Sequence, residues 1–517
     1  MLSYYTTANI LKEIKEEFQT EIRKTVQKDN GTLIYLNRAR IRDIAIDFHE
    51  KGINFINLAI HPLEEKFILT YEYYYKFIEE NKYLFVITEV DKKANEIDSI
   101  ELVYPHAKYI ENELSKRFGL NFLSFSEEIE EELFVLPTPL NPREKEHNLL
   151  FSGIYNKIHN LHHYFHLRVQ DKSIEAVAQK TGWLYRGILP LFKHYHFSKG
   201  NIKLTQRICT PGSFHHQLAY CMAIEQLAGI KIQNRVKLIR TLLCELDRIN
   251  NHLNFFTNLF YVLGYKRKYH TLLKKRSKLQ RIYLSYFNSR FLEDFNHIGY
   301  TNDLSKKKIY ALRTELLNVL PSIYGEISCL IEKNHVKNKC QGIGTLSYKD
   351  VKAAGVTGPN LRASGVGYDI RSEKPYLSYM DKEIAIRWEI PTFKQGDVYA
   401  RVKTRLFEMK ISNSLIISIL RELFDDIYGI EKIDSSKIKL PGNARTVAQV
   451  ESPRGELSYF LLTNEMPSKE NLQGVYIATP SLKNFLAVTD HILPNNNIRN
   501  FPLIIHSLDL NFNEIDL

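Results

Sequence analysis

The chain has 517 residues, 44% of them hydrophobic and 25% charged, an ordinary globular mix with room for two or more domains with cores of their own. Its formal net charge is +11, yet the basic residues are spread along the chain with no aromatic-plus-glycine RNA-binding signature, so nucleic acid is not expected as a partner; acidic subunits or an anionic lipid surface are. The five cysteines, Cys209, Cys221, Cys244, Cys329 and Cys340, form no C-x-x-C pair, which argues for a reducing compartment and against a disulfide framework or a metal held by this chain alone. The first residues carry an early acidic helix rather than a basic start and an apolar run, so no signal peptide is expected. No run of about 18 apolar residues predicts a transmembrane helix, and a soluble or peripheral protein is expected.

In chain order, residues 6–25 read as an amphipathic helix. Residues 31–36, 67–75 and 83–90 alternate as strands do. Residues 105–120 read as a helix closed by a glycine cap at Gly119. Leu136-Pro137-Thr138-Pro139-Leu140-Asn141-Pro142 and the charged run to His147 read as a stiff linker. The expected division is 1–136, a linker at 137–150, and a domain at 151–517. The fold class is α+β: an N-terminal α+β domain, then a mainly helical domain with flanking β-hairpins.

The stretch from Gly182 to Gly264 organises the second domain. Ile239, Leu242, Leu243, Leu246, Ile249 and Leu253 recur every three or four residues and make one apolar helix face. Arg235, Arg240, Glu245, Arg248 and His252 are threaded through it, and the spacing lets Glu245 meet Arg248 and Arg248 meet His252. Before this helix lies a turn-rich segment, Arg207 to His216, with Cys209 and the paired His215 and His216. Residues 265–281 are strongly basic, and read either as a solvated helix face or as a contact for phospholipid headgroups or an acidic partner. Residues 342–365 are glycine-rich but lack the spacing and lysine of a phosphate loop. Among the histidines of residues 159–166, His162 and His166 share one face of a strand, where a metal or proton relay competes with a surface or packing role.

Several motifs in order resemble a known family: Gly182-x-Leu184-x-Arg186-Gly187-Ile188, Arg207-Ile208-Cys209, Glu225-x-Leu227-x-Gly229-Ile230, and Glu245-Leu246-x-Arg248-Ile249-x-x-His252-Leu253. They are similar to the large subunit of hydrogenase-4 and formate hydrogenlyase, which is homologous to the 49-kDa subunit of NADH-quinone oxidoreductase, or complex I. Gly358-Pro359 to Gly365, Pro453-Arg454-Gly455 and Ser507-Leu508-Asp509 extend the likeness as scaffold and partner-contact motifs. Residues 105–120 resemble the 30-kDa subunit signature, with Tyr109, Asn112 and Lys116 where that family has tryptophan, arginine and aspartate.

The resemblance implies a fused peripheral-arm subunit on the cytoplasmic face of the inner (cell) membrane. It would take part in electron transfer beside a small subunit carrying an iron-sulfur cluster, above antiporter-like membrane subunits. NADH would bind elsewhere, since no G-x-G-x-x-G follows a strand here. A quinone is the cofactor the family admits, but three of its polar quinone-site positions fall on Asn160, Phe197 and Val262. Nickel hydrogenases use four thiolates from two C-x-x-C pairs. Here Cys209 remains, Gly212 stands for its partner, and no cysteine follows Cys340, so no metal is expected. Arg186 and His216 are left as the catalytic candidates, and the alternative is a non-catalytic structural subunit.

Overall fold

A computed structural model describes the chain except residues 1–11, 15, 19, 29–30, 38–39, 75–82, 105–106, 124–145, 153–163, 181, 183, 386–387, 465–471 and 488–490. The protein is α+β and divides into two compact units. One comprises residues 1–129 with short returns at 353–355 and 476–478; the other holds the remainder.

The first unit is built on a five-stranded sheet in the order Ile22–Lys28, Gly31–Leu36, Tyr83–Asp91, Lys66–Tyr74, Asn54–Pro62. Neighbours run antiparallel except Gly31–Leu36 with Tyr83–Asp91. Helix Ile41–Glu50 buries Ile41, Ile44, Ala45 and Phe48 at three- and four-residue spacing, which makes one apolar stripe. Phe48 meets Tyr73 edge-on at 4.8 Å, and the Tyr104 hydroxyl donates to the Ile53 carbonyl at 2.7 Å. The three expected strands are present. The expected helix at 6–25 is not continuous: residues 12–17 contain helix, but Ile22–Lys28 is a strand paired with Gly31–Leu36. β-branched Ile22, Thr25 and Val26 suit a pleated surface, and pairing overrides the helical pattern that precedes them.

Helix Ala107–Phe118 ends at Gly119, with φ +72° and its N–H on the Ser115 carbonyl, as a left-handed cap requires. Inside, Glu111 accepts from the Ile100 N–H at 3.0 Å and from the Ser99 hydroxyl. Burial raises its carboxyl and outweighs these donors, leaving it at about 7. An acid held above its unfolded value stabilises the fold fully below about pH 4, and that stability is lost as pH rises through 7. Protection of the helix amides should therefore fall by about 3 kcal/mol between pH 4 and 8. Hydrogen exchange checks this, and Glu111→Gln should flatten the dependence.

The second unit is mainly helical. Helix Asn234–Val262 is its axis, against Val398–Asp425, Lys266–Phe287 and Ser213–Ala228. Asp397 caps Val398–Asp425 by accepting from the Ala400 N–H at 2.7 Å, one of the donors a helix start leaves free. The antiparallel hairpin Arg445–Ser452 and Gly455–Thr463 packs on Ser213–Ala228. Its turn lies against Gly358, where φ is +70° and a side chain would stand 2.4 Å from the Arg454 carbonyl oxygen, so only glycine fits there. Of the expected flanking hairpins one is formed by Tyr164–Gln170 with Ser173–Lys180, and Glu146–Ser152 adds a third strand that takes up the last residues of the expected linker. No helix among the described residues is long and apolar enough to cross a membrane.

The long helix is buried almost all round, not on one face. Arg240, Glu245, Arg248 and His252 are as enclosed as Leu242 and Leu246. Such burial is tolerable only where each charge finds a partner. Arg248 reaches Glu245 at 3.4 Å, as its spacing predicts. His252 turns instead to Glu408, at 2.9 Å, and Glu408 also lies 4.0 Å from Arg248. The expected Arg248–His252 pair is thus bridged by a carboxylate from another helix.

Candidate functional site

The site forms where three remote segments meet a loop. Arg186 fixes that loop by donating to the carbonyls of Arg207 at 2.6 Å and Ile208 at 2.7 Å. The next residue, Cys209, is buried, and its thiol donates to Glu514 Oε1 at 3.0 Å. Helix Ser213–Ala228 then starts at Gly212, whose φ of +112° is a glycine conformation. The Gly212 N–H donates to Asp247 Oδ1 at 3.1 Å, and His215 Nδ1 meets Asp247 Oδ2 at 2.9 Å. The loop is thereby pinned to the middle of the long helix.

His216 lies on the same helix with both ring nitrogens engaged, Nδ1 with the Tyr459 hydroxyl at 2.8 Å and Nε2 with Glu514 Oε1 at 3.4 Å. Glu514 comes from the short helix Phe512–Ile515, capped by Asn511 on the Asn513 N–H. Phe512 packs against Phe165 and Phe485, which seats this tail in the core. Asp516 then accepts from the Gly182 and Leu184 N–H groups at 2.7 and 2.8 Å. The other Glu514 oxygen accepts from the Ser481 hydroxyl. Arg454, from the hairpin turn, donates to Glu514 Oε1 at 3.4 Å, the Pro211 carbonyl at 3.0 Å and the Asp509 carbonyl at 3.0 Å.

The electrostatics follow from burial and this guanidinium. Burial alone would raise Glu514; Arg454, with the His216 and Cys209 hydrogen bonds, overcomes it and holds the carboxyl at about 2. The Cys209 thiol is driven well above its usual range by burial and then by the Glu514 charge. Tyr459 is raised in the same way, by burial and then by Cys209. At neutral pH the centre therefore holds a carboxylate, a thiol with its proton and a phenol, joined with His216 in one connected chain. An imidazole can take a proton at one nitrogen and release one from the other, and His216, with one nitrogen on Tyr459 and the other on Glu514, is the member of the chain built to do so.

Behind this centre runs a buried ionic network. Glu245 accepts from Ser412 at 2.5 Å, Tyr379 at 2.6 Å and Arg371 at 3.1 Å. Burial opposes its ionisation, but Arg248, Arg371 and these hydroxyls bring it to about 2. Arg362 binds Glu408 at 2.7 Å and Glu451 at 2.9 Å, and lies 3.2 Å from Asp369. Burial and then Asp369 push Glu451 up to about 7, against the pull of Arg362.

Of the residues singled out in the sequence, Arg186 and His216 both adjoin the Cys209 loop. The Phe197 ring is fully buried and stacked on His196 at 4.8 Å; its carbonyl accepts from the Tyr220 hydroxyl at 3.0 Å, and the Tyr220 ring lies 6.3 Å from Tyr459. Val262 ends the long helix and is half-buried, roughly 22 Å along the axis from Asp247 at 1.5 Å per residue. Asn160, His159, His162 and His163 lie outside the described residues. His166 is half-buried on the strand face opposite Phe165 and Leu167, and burial lowers its pKa. Sequence reasoning gave no chemistry to Glu514, Arg454, Tyr459 or Asp247. Arg454 stood in the Pro453-Arg454-Gly455 motif, and Glu514 five positions after Ser507-Leu508-Asp509, but nothing in their spacing placed them on Cys209.

Residues 263–445 match the family described as respiratory-chain NADH dehydrogenase, 49 Kd subunit. The chain is 30% identical over 375 residues to a subunit of the NADH-quinone oxidoreductase of Chloroherpeton thalassium, covering 68% of this chain and 83% of that protein. It is also 30% identical over 350 residues to the carbon monoxide-induced hydrogenase of Rhodospirillum rubrum, covering 67% of this chain and 92% of that one. Among solved structures, a chain of the membrane-bound sulfane sulfur reductase, an archaeal respiratory membrane complex, superposes with a TM-score of 0.65 at 24% identity, over 74% of this chain and all of that one; this likeness speaks for the fold. By the matched family and these relatives, the chain belongs to the family of the 49-kDa subunit of respiratory-chain NADH dehydrogenase.

Proposed function

We propose that this chain is a peripheral-arm subunit of a membrane-bound respiratory complex related to NADH-quinone oxidoreductase and to energy-converting hydrogenases of the hydrogenase-4 type. In that complex it takes part in electron transfer next to an iron-sulfur small subunit and handles protons at the Cys209–His216–Glu514 centre. The carrying observation is that centre: one connected donor–acceptor chain, buried, assembled from a loop, a helix, a hairpin and the C-terminal tail. Relatives named for quinone reduction and for hydrogen metabolism support the class of complex. On this reading residues 1–136 act as a 30-kDa-subunit-like docking domain joined by the 137–150 linker, whose residues from 146 on lie in the strand Glu146–Ser152. The complex sits on the cytoplasmic face of the cell membrane above antiporter-like subunits, with the basic 265–281 face toward anionic lipid or an acidic partner.

The donor set supports a nickel-free centre. Nickel of the hydrogenase type needs soft thiolates, and Cys209 is the one thiol in the cluster, with Glu514 and His216 beside it. Support for an altered quinone site comes from Phe197 and Val262. The first keeps a ring, enclosed against His196, without a hydroxyl to donate. The second is apolar at a helix end. A bound quinone would supply a two-electron, two-proton acceptor; the contribution of this chain would be to deliver protons through His216 and to hold the loop through Arg186. The same two residues favour a second reading, a structural subunit that keeps the fold without redox work.

A quinone-analogue titration on the assembled complex separates the two readings. Saturable binding competed by a quinone-site inhibitor is expected for the electron-transfer subunit. Absence of saturable binding, with the complex intact, would support the structural reading.

A further inference from the structure

We propose that the Arg454 guanidinium takes the place of a metal ion in the Cys209–His216–Glu514 cluster, and that removing it exposes a latent zinc-type site. The three side chains each offer one ligand atom: Cys209 Sγ, a His216 ring nitrogen and a Glu514 oxygen all lie within 4.8 Å of one another and are buried. Sulfur, imidazole nitrogen and carboxylate oxygen are the donors zinc uses, and bonds of about 2.0–2.3 Å set tetrahedral ligand atoms about 3.5 Å apart. Two of the observed separations, 3.0 Å from Sγ and 3.4 Å from Nε2 to Glu514 Oε1, lie within about 0.5 Å of that value, and the third is no more than 4.8 Å. Tyr459 already holds the other His216 nitrogen at 2.8 Å, the second hydrogen bond that commonly orients a ligating imidazole.

What stands in the way is a cation. Arg454 Nη1 and Cys209 Sγ both border the space where a Gly212 side chain would begin, at 2.9 and 3.2 Å, and the guanidinium touches Glu514 Oε1, the atom the thiol donates to, at 3.4 Å. The Glu514 and Cys209 charges balance in both forms, while Asp509, 3.9 Å from Arg454, keeps the Asn251 amide at 2.8 Å. With Arg454 in place, one guanidinium offsets one Glu514 carboxylate and the Cys209 thiol keeps its proton. With a divalent ion, its two charges offset the carboxylate and a thiolate, and one proton leaves to solvent as the S–metal bond replaces the S–H bond. The inference concerns this cluster alone and holds whichever electron acceptor the complex uses.

The test uses the full-length chain, zinc chloride, and a competing chelator. Arg454→Ala should retain one zinc per chain after gel filtration, release one proton on binding, and with cobalt show a thiolate-to-metal absorption band. Wild type and Arg454→Lys, which keeps a cation in the cluster, should retain none, and Cys209→Ser in the Arg454→Ala background should abolish retention. If Arg454→Ala is recovered folded only when zinc is supplied, and Cys209→Ser removes that rescue, the proposal stands. Stoichiometric zinc in wild type overturns it, as does zinc binding that survives Cys209→Ser. Failure of both Arg454→Ala and Arg454→Met to take up zinc, folded or during refolding, overturns it as well.

Discussion

Arg362→Met should lower the unfolding free energy of the chain by about 3–5 kcal/mol, read from chemical denaturation, because it strands buried carboxylates rather than deleting a contact. Arg362 is fully enclosed and faces three acids: Glu408, Glu451 and Asp369. Glu408 retains His252 at 2.9 Å and Asp369 retains Arg371 at 2.7 Å. Glu451 has less to fall back on, and burial together with the Asp369 charge already raises it to about 7 with Arg362 present. Without the guanidinium it should stay protonated to higher pH. The stability loss should therefore grow as pH rises through 7, where the wild-type group can still ionise against Arg362. A loss under about 1 kcal/mol at pH 8, the size of an exposed ion pair, would show that water reaches this network and screens it.

The Glu225–Arg240 pair offers a second effect of similar size with an internal control. Arg240 is fully buried and grips Glu225 with two parallel bonds, at 2.8 and 2.5 Å, while also donating to Asn296 and the His297 carbonyl at 2.8 Å each. Burial opposes the Arg240 charge, and Glu225 more than restores it. Glu225 would otherwise keep only the Gly299 N–H at 2.6 Å, so Arg240→Met should cost about 3–5 kcal/mol. Adding Glu225→Gln should recover a large part of that loss, since an unpaired buried charge is worse than a neutral pair. A double variant as unstable as the single one would mean that packing of the arginine stem, not charge, dominates.

How much of this was legible in the sequence depends on the range of the interaction. The long helix announced itself through Ile239 to Leu253, because three- and four-residue spacing is a local signal. The Gly119 cap was equally local. Ile22–Lys28 was misread because its strand state comes from pairing with Gly31–Leu36, while the preceding residues repeat at a helical period. The Glu245–Arg248 contact is one helical turn and was legible. His252 was assigned the wrong partner because Glu408 lies 156 positions away in the chain. The site shows the same limit more severely. Cys209, Arg186 and His216 stood in recognisable segments, but Glu514 reaches Cys209 across 305 positions, and only the fold reveals that a carboxylate and a guanidinium complete the centre. Reading the C-terminal tail for cysteine alone missed the residue that occupies the cluster.

The central claim, that this chain moves protons for electron transfer through the His216 centre, is tested most directly by turnover of the assembled complex in two variants. His216→Ala should reduce turnover by about 10²-fold, the usual loss when a positioned proton donor is removed, with the complex assembled in normal amount and the pH dependence of the rate altered. Asn160→His with Phe197→Tyr should leave turnover within a few-fold of wild type. Unchanged turnover in His216→Ala, or a large gain on restoring Asn160→His and Phe197→Tyr together, would contradict the account and return the chemistry to a quinone site that this chain has let decay.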